Sequence, residues 1–304
     1  MHPHPMFERI LAGTDGTPRA EEAVRQAARL ARVTGADLEV VFVAHPARPG
    51  SGRSGPERLA AADAALERAG AVAASVGVSA DARVLVGEPA ATLALEAGRR
   101  WSDLVCVGPD AGFAEKHHLL GGVAAHLVHR RVRPTLVARP PDTAATEPFP
   151  SKVLVPVDGS TGSREAVRMG TAIALAAGAE LRFLHSVELT GDGVIGWTVD
   201  GDRTGFEPLE PAVQTAADMG VRAAREMAFG RPGPSIATAA AAWGADLIVV
   251  GARGRNGLER LALGSVSDWV IRHAGRSVLV AGDRATNAQR APAEAGVSSA
   301  PAFA

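Results

Sequence analysis

The chain is poor in cysteine, in lysine and in long apolar runs, and each shortage removes a class of protein. One cysteine in 304 residues cannot close an intrachain disulfide, so no disulfide framework is available to hold the fold. That cysteine, Cys106, sits in "DLVCVG", which reads as strand interior, where a thiol is buried and inert. Lysine occurs only at Lys116 and Lys152, and 32 basic residues stand against 33 acidic ones. A net charge of −1 supplies no broad basic field for nucleic acid. No apolar run reaches the length of a membrane span, and "MHPHPMFERI" lacks the cationic start and apolar core of a secretory signal. The expectation is a cytoplasmic protein with neither nucleic acid nor membrane as partner.

What the chain does have, it has twice. "ILAGTDGTPRAEEAVRQAARLARVTGADLEVVFV" (10–43) aligns without gaps on "VLVPVDGSTGSREAVRMGTAIALAAGAELRFLHS" (153–186). The constant offset of 143 residues that takes Asp15 to Asp158 also takes Gly35 to Gly178, Gly87 to Gly230, Asp103 to Asp246 and Gly108 to Gly251. A single register kept across so many glycines and aspartates marks a duplicated domain. The expected bounds are 1–140 and 151–282, joined by "RPPDTAATEPFPS" (139–151), whose prolines and small polar residues suit a linker. Residues 283–304 lack periodicity and large apolar groups and read as a disordered tail.

Each half alternates short apolar runs with helical patterns, which predicts an α/β fold: two tandem, doubly wound, five-stranded parallel-sheet domains. In the second half the strands fall at 153–157, 181–187, 224–229, 246–250 and 277–281, and the helices at 162–177, 208–218, 234–243 and 265–274. "AREMAF" has no clear strand period and earns its place because the offset lays it on "DARVLV" (81–86). In the first half the second helix runs over 56–76, whereas 189–207 reads as a long loop. The last strands, 134–139 and 276–282, are apolar and fall at sheet edges, where unpaired backbone needs cover. The expectation is that the two halves dock through them, and that chains further associate as homodimers.

"GARGRNGLERLALGSVS" (251–267) carries the chemistry. Its glycines let backbone amides approach an anion, and Arg253, Arg255 and Arg260 add charge suited to phosphate. Ser265 reads as an N-cap and "SVSD" as a capping box, which would aim a helix dipole at the loop. Spacing alone leaves two readings open, a phosphate cradle or a glycine-rich turn before a capped helix. No Walker loop exists, and the first strand–helix turn of neither half carries a dinucleotide fingerprint. His2 and His4, the pair His117 and His118, and Asp192, Asp200 and Asp202 lack the spacing of metal ligands. No metal site is expected. Trp197 reads as ordinary loop packing, with a cover over a nucleotide or a partner contact as the alternative.

Gly251, Gly254, Gly264 and Ser265 resemble the ATP-binding pattern of the universal stress protein family: glycine, two residues, glycine, nine residues, glycine, then serine or threonine. "VLVPVDGS" (153–160), "ADLIVVGARG" and "SVLVAG" are similar to other segments of that family, and the likeness covers both halves. The resemblance implies ATP with magnesium as cofactor. It places Asp158 and the backbone of Pro156 and Val157 against the adenosine, with Ser186 lining the adenine pocket. Val250, Gly251, Arg253, Gly254, Gly264, Ser265 and Val266 would surround the phosphates. Asp158 has a plainer reading as a turn or capping residue, compatible with ligand contact. In the first half Thr14, Asp15, Gly108, Gly121 and Gly122 are weaker candidates, because Asp110 replaces Arg253 and Ala111 replaces Gly254. The family also implies a regulatory role in stress responses, exercised through an unidentified protein partner. No catalytic residue is assigned: Glu259 reads as a surface charge, and phosphoryl chemistry would need a positioned base. Hydrolysis would be slow. A nucleotide-independent scaffold and a slow ATPase are the alternatives.

Overall fold

The computed structural model describes residues 6–45, 55–109, 120–131, 133–140, 149–188, 207–254 and 263–282. The first half runs β1 (Arg9–Thr14), α1 (Pro18–Thr34), β2 (Asp37–Ala44), α2 (Gly55–Ser75), β3 (Ala80–Val86), α3 (Pro89–Arg99), β4 (Leu104–Val107), α4 (Gly122–Arg130) and β5 (Thr135–Val137). The second repeats the order with β6 (Lys152–Pro156), α5 (Thr161–Ala177), β7 (Glu180–Val187), α6 (Glu210–Asp218), β8 (Ala223–Phe229), α7 (Pro232–Trp243), β9 (Leu247–Gly251), α8 (Ser265–His273) and β10 (Ser277–Ala281). Within each half the paired strands are parallel, in the order 3-2-1-4-5, and the first strand is central. "AREMAF" is indeed a strand, paired along its length with β7. The predicted loop at 189–207 and the tail lie almost wholly outside the described residues.

Local sequence explains the elements. α1 begins where Thr17 Oγ1 accepts the Ala20 amide and Pro18 follows, and it ends on Gly35 at φ 73°, a left-handed cap that favours glycine. α5 repeats this with Ser160 and with Gly178 at φ 65°. Strands β4 and β10 are buried along their whole length, as strands covered on both faces must be. Asp103 and Asp246, equivalent by the duplication, fix where β1 and β6 begin. Asp103 Oδ2 accepts the amides of Glu8 (2.7 Å) and Arg9 (3.1 Å). The Asp246 carboxylate accepts those of Ser151 (2.8 Å) and Lys152 (3.0 Å) and the Ser151 hydroxyl.

β5 and β10 pair antiparallel, Val137 with Val278 and Thr135 with Val280, so ten strands form one sheet. One apolar core lies under α1, α2, α5 and α6 and a second under α3, α4, α7 and α8, and each includes residues of both halves. A polar knot closes the junction. The Ser277 hydroxyl donates to Gln26 Oε1 (2.7 Å), Gln26 Nε2 donates to the Arg139 carbonyl (2.8 Å), and Arg139 Nη2 donates to the Ile271 carbonyl (2.8 Å). Buried polar groups paired in this way fix one docking geometry.

Candidate functional site

The connection after β6 runs to β7 on one side and the connection after β9 runs to β10 on the other, which opens a crevice beyond the carboxyl ends of these strands. Pro156 ends β6, and Val157 continues it with an amide donated to the Leu184 carbonyl (2.8 Å). The Val157 carbonyl meets His185 Nδ1 at 2.7 Å, so His185 holds the backbone that precedes Asp158. Asp158 Oδ1 accepts the Ser160 amide (2.9 Å), the plain turn role open to it from sequence. Its other oxygen faces the β9 loop: a β-carbon built on Gly254 would lie 3.1 Å from Asp158 Oδ2.

Glycine is required where that loop meets α5. A β-carbon on Gly162 would overlap the Arg253 carbonyl, and one on Gly251 would overlap the Gly162 backbone. Ser160 spans the seam, capping α5 through the Ser163 amide (3.1 Å) and donating to the Arg253 carbonyl (3.3 Å). The far end of the loop returns to the same place. The Gly264 amide donates to the Ala252 carbonyl (3.0 Å), and the Ser267 hydroxyl donates to the Gly251 carbonyl (2.6 Å). Gly251, Gly254 and Gly264 thus gather with the start of α8. Val250 is buried beneath them, while Arg253, Ser265 and Val266 are exposed. Ser186 lies at the end of β7, its hydroxyl donated to the Gly230 carbonyl (3.1 Å). Arg255, Glu259 and Arg260 lie outside the described residues.

The capping expectation needs correction. Gly264, not Ser265, is the N-cap, at φ −64° and ψ 143°, and no side chain caps α8. The Gly264 carbonyl already accepts the Asp268 amide (2.9 Å), which puts Ser265 at the first helical position. "SVSD" makes no capping box, because the Asp268 carboxylate is taken by Arg272 Nε (2.9 Å) and Nη2 (3.1 Å). The helix start still faces the loop, and the Ser265 hydroxyl is not spent on capping.

In the first half the scaffold persists and the contacts differ. Gly121 caps α4 and donates its amide to the Pro109 carbonyl (2.6 Å), as Gly264 does to Ala252, and Gly122 opens the helix. A β-carbon on Gly108 would sit 3.2 Å from the Arg19 carbonyl, a looser fit than at Gly251. Thr14 Oγ1 accepts the Gly16 amide (3.2 Å), and Asp15 Oδ1 accepts both the amide (3.0 Å) and the hydroxyl (2.6 Å) of Thr17. Arg68 of α2 donates to the Gly16 carbonyl (3.1 Å) and to Glu21 (3.0 Å). The matching turn of the second half is open, with nothing within 4 Å of a β-carbon on Gly159. Asp110, Ala111, Lys116 and the paired histidines lie outside the described residues, as do His2, His4, Trp197 and Asp192, Asp200 and Asp202. Cys106 is fully buried, and burial pushes its thiol up, so it offers no thiolate.

Sequence reasoning missed two groups. His185 had a signal: it stands where the first half has Phe42, a polar residue in an apolar strand. Asp103 and Asp246 were visible as a repeated pair but carried no role until the strand starts were seen.

The sequence model of the universal stress protein family matches residues 6–139 and again 150–282. A universal stress protein of Mycobacterium tuberculosis is 28% identical over 289 residues, covering 90% of this chain and 96% of the relative. A universal stress protein of Methanocaldococcus jannaschii is 35% identical over 138 residues, 42% of this chain and 80% of the relative. Among solved structures, a universal stress protein from Archaeoglobus fulgidus superposes with a TM-score of 0.72 at 20% identity, covering 90% of this chain and 98% of that one, a likeness of fold.

Proposed function

The chain belongs to the universal stress protein family, with two copies of the domain in tandem, and we propose that it is an ATP-binding regulatory protein whose second half holds the nucleotide. The observation that carries this reading is the pairing of Gly254 with Asp158 across the crevice. A bare backbone, with Arg253 beside it and a helix start opposite, meets a carboxylate at the adenosine end. Exposed amides and an uncapped helix N-terminus suit phosphate oxygens. Asp158 Oδ2 suits a ribose hydroxyl. Pro156, Val157 and Ser186 would border the base, while Gly251, Gly264, Ser265 and Val266 would line the phosphates.

Magnesium enters this reading with the triphosphate, held by phosphate oxygens. Among the described residues no three His, Cys, Asp or Glu side chains gather as a metal site. Hydrolysis is slow in this reading, since no described residue of the loop offers a base for water. The protein acts in the cytoplasm as a homodimer or through a protein partner, with nucleotide setting the conformation that the partner meets. Among the described residues no helix is long and apolar enough to cross a membrane.

The test is direct. Protein purified without added nucleotide is denatured and the supernatant chromatographed, and the emptied protein is titrated with ATP by calorimetry. ATP in the supernatant, or a saturable heat, supports the reading. Neither would leave the nucleotide-independent scaffold as the better account.

A further inference from the structure

The last turn of α4, from the first half, meets the first turn of α8, from the second. His129 Nε2 stands 3.5 Å from Asp268 Oδ1, and both side chains are partly exposed. Asp268 is the fourth residue of α8, one turn in from Gly264, Ser265 and Val266. A carboxylate there favours the empty helix start but opposes a phosphate arriving at it. Two basic side chains meet that charge: Arg272, through its two hydrogen bonds, and His129. The contact is not reciprocated, because the duplication places Ala125 at Asp268 and His129 at Arg272. The first half therefore reaches into the second half's site through a group the second half does not return.

We propose that His129 is a positioning residue for the phosphate site of the second half, set against Asp268 so that its protonated form favours nucleotide there. This rests on the ATP reading above. Arginine stays charged throughout, whereas histidine is the residue type whose charge responds to pH near neutrality.

The other charged or titratable groups on the elements that meet there can be named. α4 itself carries His126 and Arg130, and the turn after it Arg131 and Arg133, with Arg133 lying over the Trp101 ring. α8 carries His273, stacked on Trp269. α3, packed against α4, carries Glu96, Arg99 and Arg100, and Glu96 is held by Arg83 and Arg100. Of these groups, His129 is the histidine within ion-pair distance of Asp268.

The experiment uses the full chain and ATP with magnesium, by calorimetry at low salt, at about pH 6 and about pH 8. Wild type is compared with His129→Gln, His129→Lys and Asp268→Asn, each checked by thermal melting. The gain in affinity from the higher to the lower pH should be about threefold larger in wild type than in His129→Gln, the size of one charge acting over a partly screened gap. His129→Lys should lose that excess by binding tightly at both values. Asp268→Asn should bind at least as tightly as wild type at both values, because it removes the carboxylate that opposes phosphate. Ionisation of the phosphate itself is common to all four proteins and cancels. Equal pH ratios in wild type and His129→Gln would overturn the inference and leave the ATP reading standing. No ATP uptake by wild type at either pH would sink both.

Discussion

Gly254 and Asp158, 96 residues apart in the chain, face each other so closely that a β-carbon on the glycine would come 3.1 Å from the carboxylate. The gap between the ends of β9 and β6 is thus bounded by bare backbone on one wall and by a charged oxygen on the other. Any side chain at position 254 enters that gap.

Gly254→Glu should abolish ATP binding and leave the fold intact. Gly254 is exposed and carries no left-handed φ, so the new side chain strains no backbone. It does place a second carboxylate in the gap between the β9 loop and Asp158, which the nucleotide would cross. Asp158→Ala should weaken binding less, by about tenfold if one charge-assisted hydrogen bond is lost. It should also cost about 1 kcal/mol of stability through the Ser160 amide it leaves behind. Calorimetry and thermal melts on both variants decide. Wild-type affinity in Gly254→Glu would sink the site assignment.

Equivalent glycines in the two halves should differ in tolerance. Gly251→Ala drives a methyl into the Gly162 backbone, so the loop or α5 must shift. Gly108→Ala meets the Arg19 carbonyl at 3.2 Å, which a small adjustment relieves. We expect Gly251→Ala to lower stability by about 2–4 kcal/mol and to impair nucleotide binding, and Gly108→Ala to cost about 1 kcal/mol or less. Equal melting temperatures for the two variants would show that the seam in the second half yields as easily as the one in the first.

The duplication made the architecture legible. β8 could be placed because its twin is a clear strand, and the strand and helix limits moved by only a residue or two. The cap of α8 was misread because an N-cap is fixed by backbone conformation. Gly264 takes the extended angles, and Asp268 is drawn off by Arg272 and by His129, whose contact spans the halves. Another non-local feature hides in the alignment. Arg83 pairs with Glu39, and Arg182 with Glu226 at 2.6 Å, yet the offset lays Glu39 on Arg182 and Arg83 on Glu226. The charges have exchanged strands while the pair has been kept, so a search for identical residues misses a contact that both halves make.

Glu96 should contribute to acid sensitivity. Burial alone would raise its carboxyl, but hydrogen bonds from Arg83 and Arg100 hold it below the ordinary 4.5. A carboxyl whose folded value is depressed binds protons more readily in the unfolded chain. Its contribution is therefore complete above about pH 4.5 and is lost as pH falls through the lower folded value. Glu96→Gln should melt earlier than wild type at neutral pH, and the gap should narrow on acidification below 4.5. A gap that stays constant down to about pH 3 would show that packing, not charge, is what the variant removes.

The two halves should bind nucleotide unequally. In the first, Asp110 stands in place of Arg253, Ala111 in place of Gly254 and Gly122 in place of Ser265, so attraction becomes repulsion where phosphate would lie. Across a few ångströms near a protein surface, one such reversal is worth on the order of several kcal/mol before screening. Pro109 also removes an amide donor from the cradle. The adenosine end differs too. Phe42 and Val43 replace His185 and Ser186, Arg68 is laid on the Gly16 carbonyl, and one Asp15 oxygen accepts twice from Thr17. Calorimetry on the full chain should give about one ATP per chain, and Gly254→Glu should remove it. A second, weaker phase surviving in Gly254→Glu would measure what affinity the first half retains. Two equivalent tight sites would show that a glycine scaffold and an intact Asp15 suffice without the arginine, and that the charge argument is wrong.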